Sequence, residues 1–161
     1  MPTSRSQLLN TLRTAAADAL EVAERVTRRT IGEATHAESK AENKYDTRSL
    51  EASYLARGQA ERVGQLRHVH SFLASLDDTT PHDAIGVGTF AQLEDEDGHI
   101  RWLLVAPVGG GLEAEVDGTT VSLVTPKAPL GRSLLGLEAD DDVELEHGPR
   151  SGQVWTILRI C

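Results

Sequence analysis

The sequence predicts an α+β protein: an N-terminal antiparallel helical hairpin over residues 1–78, then a small, mainly antiparallel sheet with one short helix over 79–161. Three observations carry this. No proline lies between Pro2 and Pro81, and residues 6–78 contain only Gly32, Gly58 and Gly64 as weak helix formers. Past Asp77 the texture changes to short β-type runs separated by turn residues. The charge changes at the same place. Residues 1–78 hold 11 basic and 11 acidic side chains, whereas 79–161 hold 5 and 14, so the net charge of −9 belongs to the second half.

At 161 residues, 39% hydrophobic and 25% charged, the chain can bury a core, and that core is aliphatic because aromatics are scarce. No apolar run approaches the ~20 residues that span a membrane, and the amphipathic start is not that of a signal peptide. Cys161 is the only cysteine, which excludes an intrachain disulfide and a cysteine-based zinc cluster. A cytoplasmic location is expected.

The first helix is expected to pack through Leu12, Ala16, Ala19, Ala23, Val26 and Thr30, which alternate steps of four and three as a heptad seam does. In the second, Leu55, Leu66, Val69, Leu73 and Leu76 form the matching seam, interrupted by Gln59 and Arg62. About thirty residues per arm makes a rod of roughly 45 Å. Two helices alone bury little, so much of that length should project into solvent or a partner. "THAE" (Thr35–Glu38) and "SKAE" (Ser39–Glu42) both match the capping box that opens a helix, placing the tip near 36–46.

Around this tip, Glu38, Glu42 and Asp46 form one i, i+4, i+8 series and Lys40, Lys44 and Arg48 another. Were all of them on the second helix, they would form two like-charge stripes. That costs a few tenths of a kcal/mol per pair and calls for a metal or an oppositely charged partner to neutralise it.

"DDTTPH" (Asp77–His82) reads as the linker. Strand-like runs follow at 84–93, 99–108, 119–126, 142–147 and 153–160, with turns at "EDEDG", "GGG", "EVDG" and "GPRSG". "APLGRSLLGL" (Ala128–Leu137) is one short helix opened by a proline. The dispersed histidines carry no metal spacing, and Gly109–Gly111 lacks the context of a phosphate loop.

The residues Thr125, Pro126, Pro129, Leu130, Gly131, Arg132, Leu134, Leu135, Gly136, Asp141 and Val143, closing on Trp155 and Ile157, resemble the C-terminal signature of the Gre family of bacterial transcription elongation factors. Ala128 stands where that signature has Ser, and Asp140 where it has Gly. The resemblance implies an FKBP-like second domain and a hairpin that enters the secondary channel of RNA polymerase. There the family's tip carboxylates help hold a second Mg²⁺ and position a water, so that the polymerase cuts its own backtracked RNA.

Laid on that pattern, Glu42-Asn43 matches the family's Glu-Asn, and Ser39 replaces its leading Asp. Glu42 with Glu38 or Asp46 is then the candidate metal-handling set. Lys40, Asn43, Lys44, Tyr45 and Arg48 become candidate contacts to the polymerase or the RNA 3′ end, and Pro129, Leu130, Gly131 and Arg132 candidate docking residues. The chain would be a monomeric auxiliary factor rather than an enzyme, with no cofactor when free and Mg²⁺ only within the polymerase. It would either stimulate cleavage or occupy the channel without it. A peptidyl-prolyl isomerase and a structural coiled-coil oligomer are the alternatives. The first would need an aromatic-lined pocket from Phe90, Trp102 and Trp155, the only aromatics of the second half.

Overall fold

The computed structural model describes residues 3–39, 47–79, 82–144 and 152–161. Helices α1 (Arg5–Ser39) and α2 (Thr47–Ser75) run antiparallel as a long pair. They are followed by β1 (Phe90–Asp95), β2 (Ile100–Val105), β3 (Glu113–Val116), β4 (Thr119–Val124), α3 (Pro129–Leu134), β5 (Asp142–Glu144) and β6 (Val154–Ile160). The six strands form one mixed sheet in the order β3-β4-β2-β1-β6-β5. Every neighbouring pair is antiparallel except β2 and β4, which run parallel from Arg101↔Thr120 to Val105↔Val124.

A capping box opens α1. Ser4 Oγ accepts from the N–H of Gln7 at 3.2 Å while Gln7 Oε1 accepts from the N–H of Ser4 at 2.8 Å, so the signature that marks a helix start operates at "SRSQ". It does not operate at "THAE". Thr35 lies inside α1, and its hydroxyl donates to the Ile31 carbonyl one turn back at 2.9 Å. The first helix therefore continues to Ser39, and "SKAE" begins on its last residue and runs beyond the described part. At the other end of the pair, Arg13 donates to the Leu73 and Leu76 carbonyls at 3.0 and 2.7 Å, satisfying acceptors that the end of α2 leaves without helical partners.

The seam of α1 is as expected at Leu12, Ala16, Ala23 and Thr30, which are buried, but Val26 is exposed. In α2 the buried line is Val63, Leu66, Val69 and Leu73, with Ala52, Ala56 and Gln59 half-buried. Leu55 is not part of it and is 56% exposed.

Two apolar layers form on the two faces of the sheet. Phe90, Trp102, Leu104, Val121 and Leu123 pack beneath the base of the hairpin, against Leu8, Leu9, Leu12, Ala16, Val69 and Leu73. Ala91, Leu93, Leu103, Val105, Trp155 and Ile157 form the opposite layer with Leu134 of α3. Strand β2 supplies both layers alternately, which is why "WLLV" is an unbroken apolar run rather than an alternating one.

Two strand expectations need correction. The run beginning at Ala84 becomes a strand only at Phe90, because 84–89 is spent on a turn in which Gly88 takes φ +92° and donates to the Val105 carbonyl. Strand β3 has no counterpart among the expected runs, and its second half falls in the expected turn "EVDG". Three of its four residues, Glu113, Ala114 and Glu115, have low β-propensity, and as an edge strand it leaves Glu113 and Glu115 exposed.

Candidate functional site

The base of the hairpin sits in the sheet's core; its outer half does not. Beyond the small cluster of Ala23, Val63 and Leu66, the only buried side chain described on either helix is Thr30. Large apolar side chains there face outward instead: Val26 (42% exposed), Ile31 (47%), Leu50 (56%), Leu55 (56%) and Tyr54 (67%). A rod that hides its apolar groups near the sheet and presents them near its far end has a surface suited to being covered by something else.

The charged segment lies at that far end. Glu38 belongs to the last turn of α1 and Arg48 to the first turn of α2, so the two series are divided between the helices. Lys40, Glu42, Asn43, Lys44, Tyr45 and Asp46 lie outside the described residues. On the adjoining part of α1, Arg25 pairs with Glu21 at 2.7 Å and Arg29 with Glu33 at 3.1 Å. Arg28, between them, has no ion pair among the described residues. These arginines sit in mid-helix, since α1 continues ten residues past Arg29.

The Pro129–Arg132 motif divides in two. Gly131 is buried, and a Cβ there would collide with the Thr125 carbonyl, so the chain must carry glycine for α3 to fold back over "TP". The N–H of Ala128 donates to that carbonyl at 3.0 Å, and Leu130 packs on the second core layer. Pro129 and Arg132 are exposed, as is Leu135. Asp140, in the slot where the family signature has glycine, takes φ +71°, the left-handed conformation that glycine adopts most easily. Its N–H donates to the Ile157 carbonyl at 2.8 Å, which holds the turn onto β6.

A third cluster lies at the "EDEDG" turn. Asp95, Asp97 and His99 bring ligand-type atoms within 4.8 Å of one another. The geometry accounts for them as the β1–β2 turn itself. Asp95 Oδ1 accepts from the N–H groups of Asp97 (3.0 Å) and His99 (2.8 Å), and Oδ2 lies 3.1 Å from His99 Nδ1. Burial pushes the Asp95 pKa up, but the His99 N–H, the His99 ring and the Asp97 N–H outweigh it and hold the carboxyl below its ordinary value.

Phe90 and Trp102 lie fully buried under the hairpin and Trp155 in the opposite layer, so these aromatics line no shared open pocket of the isomerase kind. No described helix is long and apolar enough to cross a membrane.

No protein-family model matches the chain, and no curated protein does. Among solved structures it is similar to the GreA factor homolog 1 (Gfh1) protein of Thermus thermophilus, at 17% identity and TM-score 0.36 over 92% of this chain and 94% of that one. It is similar to Gfh1 of Thermus aquaticus, at 20% identity and TM-score 0.38 over 91% and 94%. A GreA/GreB elongation factor from Nitrosomonas europaea aligns at 18% identity and TM-score 0.36, over 59% of this chain and 78% of that one. Likeness at this level carries no functional argument.

Proposed function

We propose that the protein is an RNA polymerase-binding regulator of transcription elongation whose hairpin enters the polymerase's secondary channel. The observation that supports this most is the way the family-like signature is embodied. Its Gly131 is sterically obligatory against Thr125, and its one glycine-to-aspartate departure, Asp140, still takes a glycine-type φ of +71°. A chance string match would have no reason to meet both demands. The hairpin adds a second support, since its outer half leaves large apolar groups exposed.

Within this reading the carboxylates of Glu38, Glu42 and Asp46 are the chemically active groups. They are hard oxygen donors, the type that Mg²⁺ takes alongside waters and phosphate. The metal, held by the polymerase, would supply Lewis-acid activation of a water. The chain's own part is to bring acid oxygens to it and to exclude other occupants from the channel. Ser39 leaves one fewer acid at the tip than the family pattern has, which favours occupation of the channel over strong cleavage stimulation.

RNA cleavage in a purified backtracked elongation complex tests this, with wild type beside Glu42→Ala, Glu38→Ala and Asp46→Ala at fixed Mg²⁺. Transcript shortening that is lost in one or two variants assigns metal handling to those acids. Polymerase binding without shortening assigns a channel-occupying regulator. Absence of binding overturns the proposal.

A further inference from the structure

The hairpin and the sheet do not meet flush. Between α2 and the loop leading into β3 lies a cavity of about 340 Å³, within the range of small-molecule sites. Its floor is apolar: Leu66 and Val69 from the buried line of α2, and Val108 and Leu112 from the loop. Its far wall is backbone, the Gly109–Gly111 segment. Gly109 takes φ +82°, and a Cβ on it would collide with the Val69 side chain, so only glycine lets the loop close down on the helix. The loop is held there by Leu112 N–H donating to the Gly109 carbonyl at 3.1 Å and Gly111 N–H donating to the Leu123 carbonyl at 3.0 Å.

The rim carries a guanidinium and an imidazole. Arg62 and His68 border the cavity from exposed positions on α2, and neither has a hydrogen bond or ion pair among the described residues. No carboxylate among the described residues lines it, although the chain as a whole carries a net charge of −9. A guanidinium at the mouth, with no carboxylate lining the cavity beside it, favours an anion there over a cation. Arg62 lies one helical turn before Leu66, next to Val63 of the buried line, at the place where this cavity opens.

We propose that this groove binds a small organic anion: an apolar or aromatic body against Leu66, Val69 and Leu112, with its carboxylate, sulfonate or phosphate on Arg62. A planar guanidinium suits such a group because it can donate two parallel N–H bonds to it. The apolar floor supplies affinity in proportion to the area covered, and Arg62 supplies orientation. Because the groove spans α2 and the β3 loop, an occupant joins the hairpin to the sheet.

The test uses the free full-length protein, so it stands apart from the polymerase reading. ¹⁵N-labelled protein is titrated with naphthalene-2-sulfonate, with 2-naphthalenemethanol as the neutral body and with inorganic phosphate as the bare anion. The sulfonate is expected to give saturable shifts confined to amides of 62–69 and 108–112, with at least about tenfold weaker binding for the other two probes. Arg62→Glu should weaken the sulfonate about tenfold or more, Arg62→Lys less, with unchanged melting temperatures. Absence of saturable shifts there, equal binding of the neutral probe, or unaltered binding by Arg62→Glu would overturn the proposal.

Discussion

The guanidinium of Arg5 donates to the carbonyl of Cys161 at 2.8 Å, linking the first turn of α1 to the chain that follows β6. Arg5 is 7% exposed, and it also donates to the carbonyls of Asp77 (2.9 Å) and Gly88 (3.0 Å) and lies over the Phe90 ring. Four segments far apart in sequence thus share one side chain. Arg5→Ala leaves three carbonyls without this donor and should cost about 2–4 kcal/mol in urea unfolding, with Arg5→Lys intermediate because an ammonium cannot fork to three acceptors. A loss below about 0.5 kcal/mol for Arg5→Ala would mean that the hairpin base is held by its apolar layer alone.

The glycines separate into obligatory and dispensable positions. Gly131→Ala forces a Cβ into the Thr125 carbonyl and should destabilise by about 1–3 kcal/mol. Gly58→Ala, in mid-helix where a Cβ meets nothing within 4 Å, should stabilise by about 0.5–1 kcal/mol. Thermal melting of the two variants reads opposite signs.

Asp140→Gly is the complementary change. Relieving a left-handed non-glycine residue should gain about 0.5 kcal/mol or more, net of the added chain entropy. A loss of stability would show that the Asp140 side chain has a role of its own in the turn.

His82 gives the protein an acid-side weakness. Burial lowers its pKa first and the Arg5 charge lowers it further, against a partial offset from Asp77. The folded state therefore takes up the proton less readily than the unfolded state. Above the ordinary histidine value of 6.5 both are neutral and the contribution is flat; below it the unfolded chain protonates first and stability falls until the folded pKa is passed. His82→Gln should flatten the urea-derived stability profile between about pH 7 and pH 5. Identical slopes in wild type and variant would remove His82 as the cause.

Surface leucines on the outer hairpin distinguish partner contact from internal packing. Leu50→Ser with Leu55→Ser should change stability by no more than about 0.5 kcal/mol each, since both side chains are mostly exposed. If the hairpin inserts into a partner, the same pair should weaken polymerase binding about tenfold in a competition assay. Unchanged binding would move the contact away from this face.

Features specified by local chemistry were legible in the residues themselves. Heptad spacing marked two helices and most of their seam, a proline-free stretch bounded them, and β-rich runs marked five of the strands. The glycine demand at Gly131 was visible as part of a motif, though its cause, the Thr125 carbonyl, was not. The charged segment was legible as composition, but the start of the second helix was not, because a capping-box match at Thr35 looks the same in sequence whether or not the hydroxyl turns back to Ile31. The parallel pairing of β2 with β4, the recruitment of "EAEV" as an edge strand, the convergence of three carbonyls on Arg5 and the closing of Gly109 on Val69 emerged from the folded chain alone. Each of these joins residues distant in the chain, where the energy lies in the partner's position and leaves no periodicity behind to read.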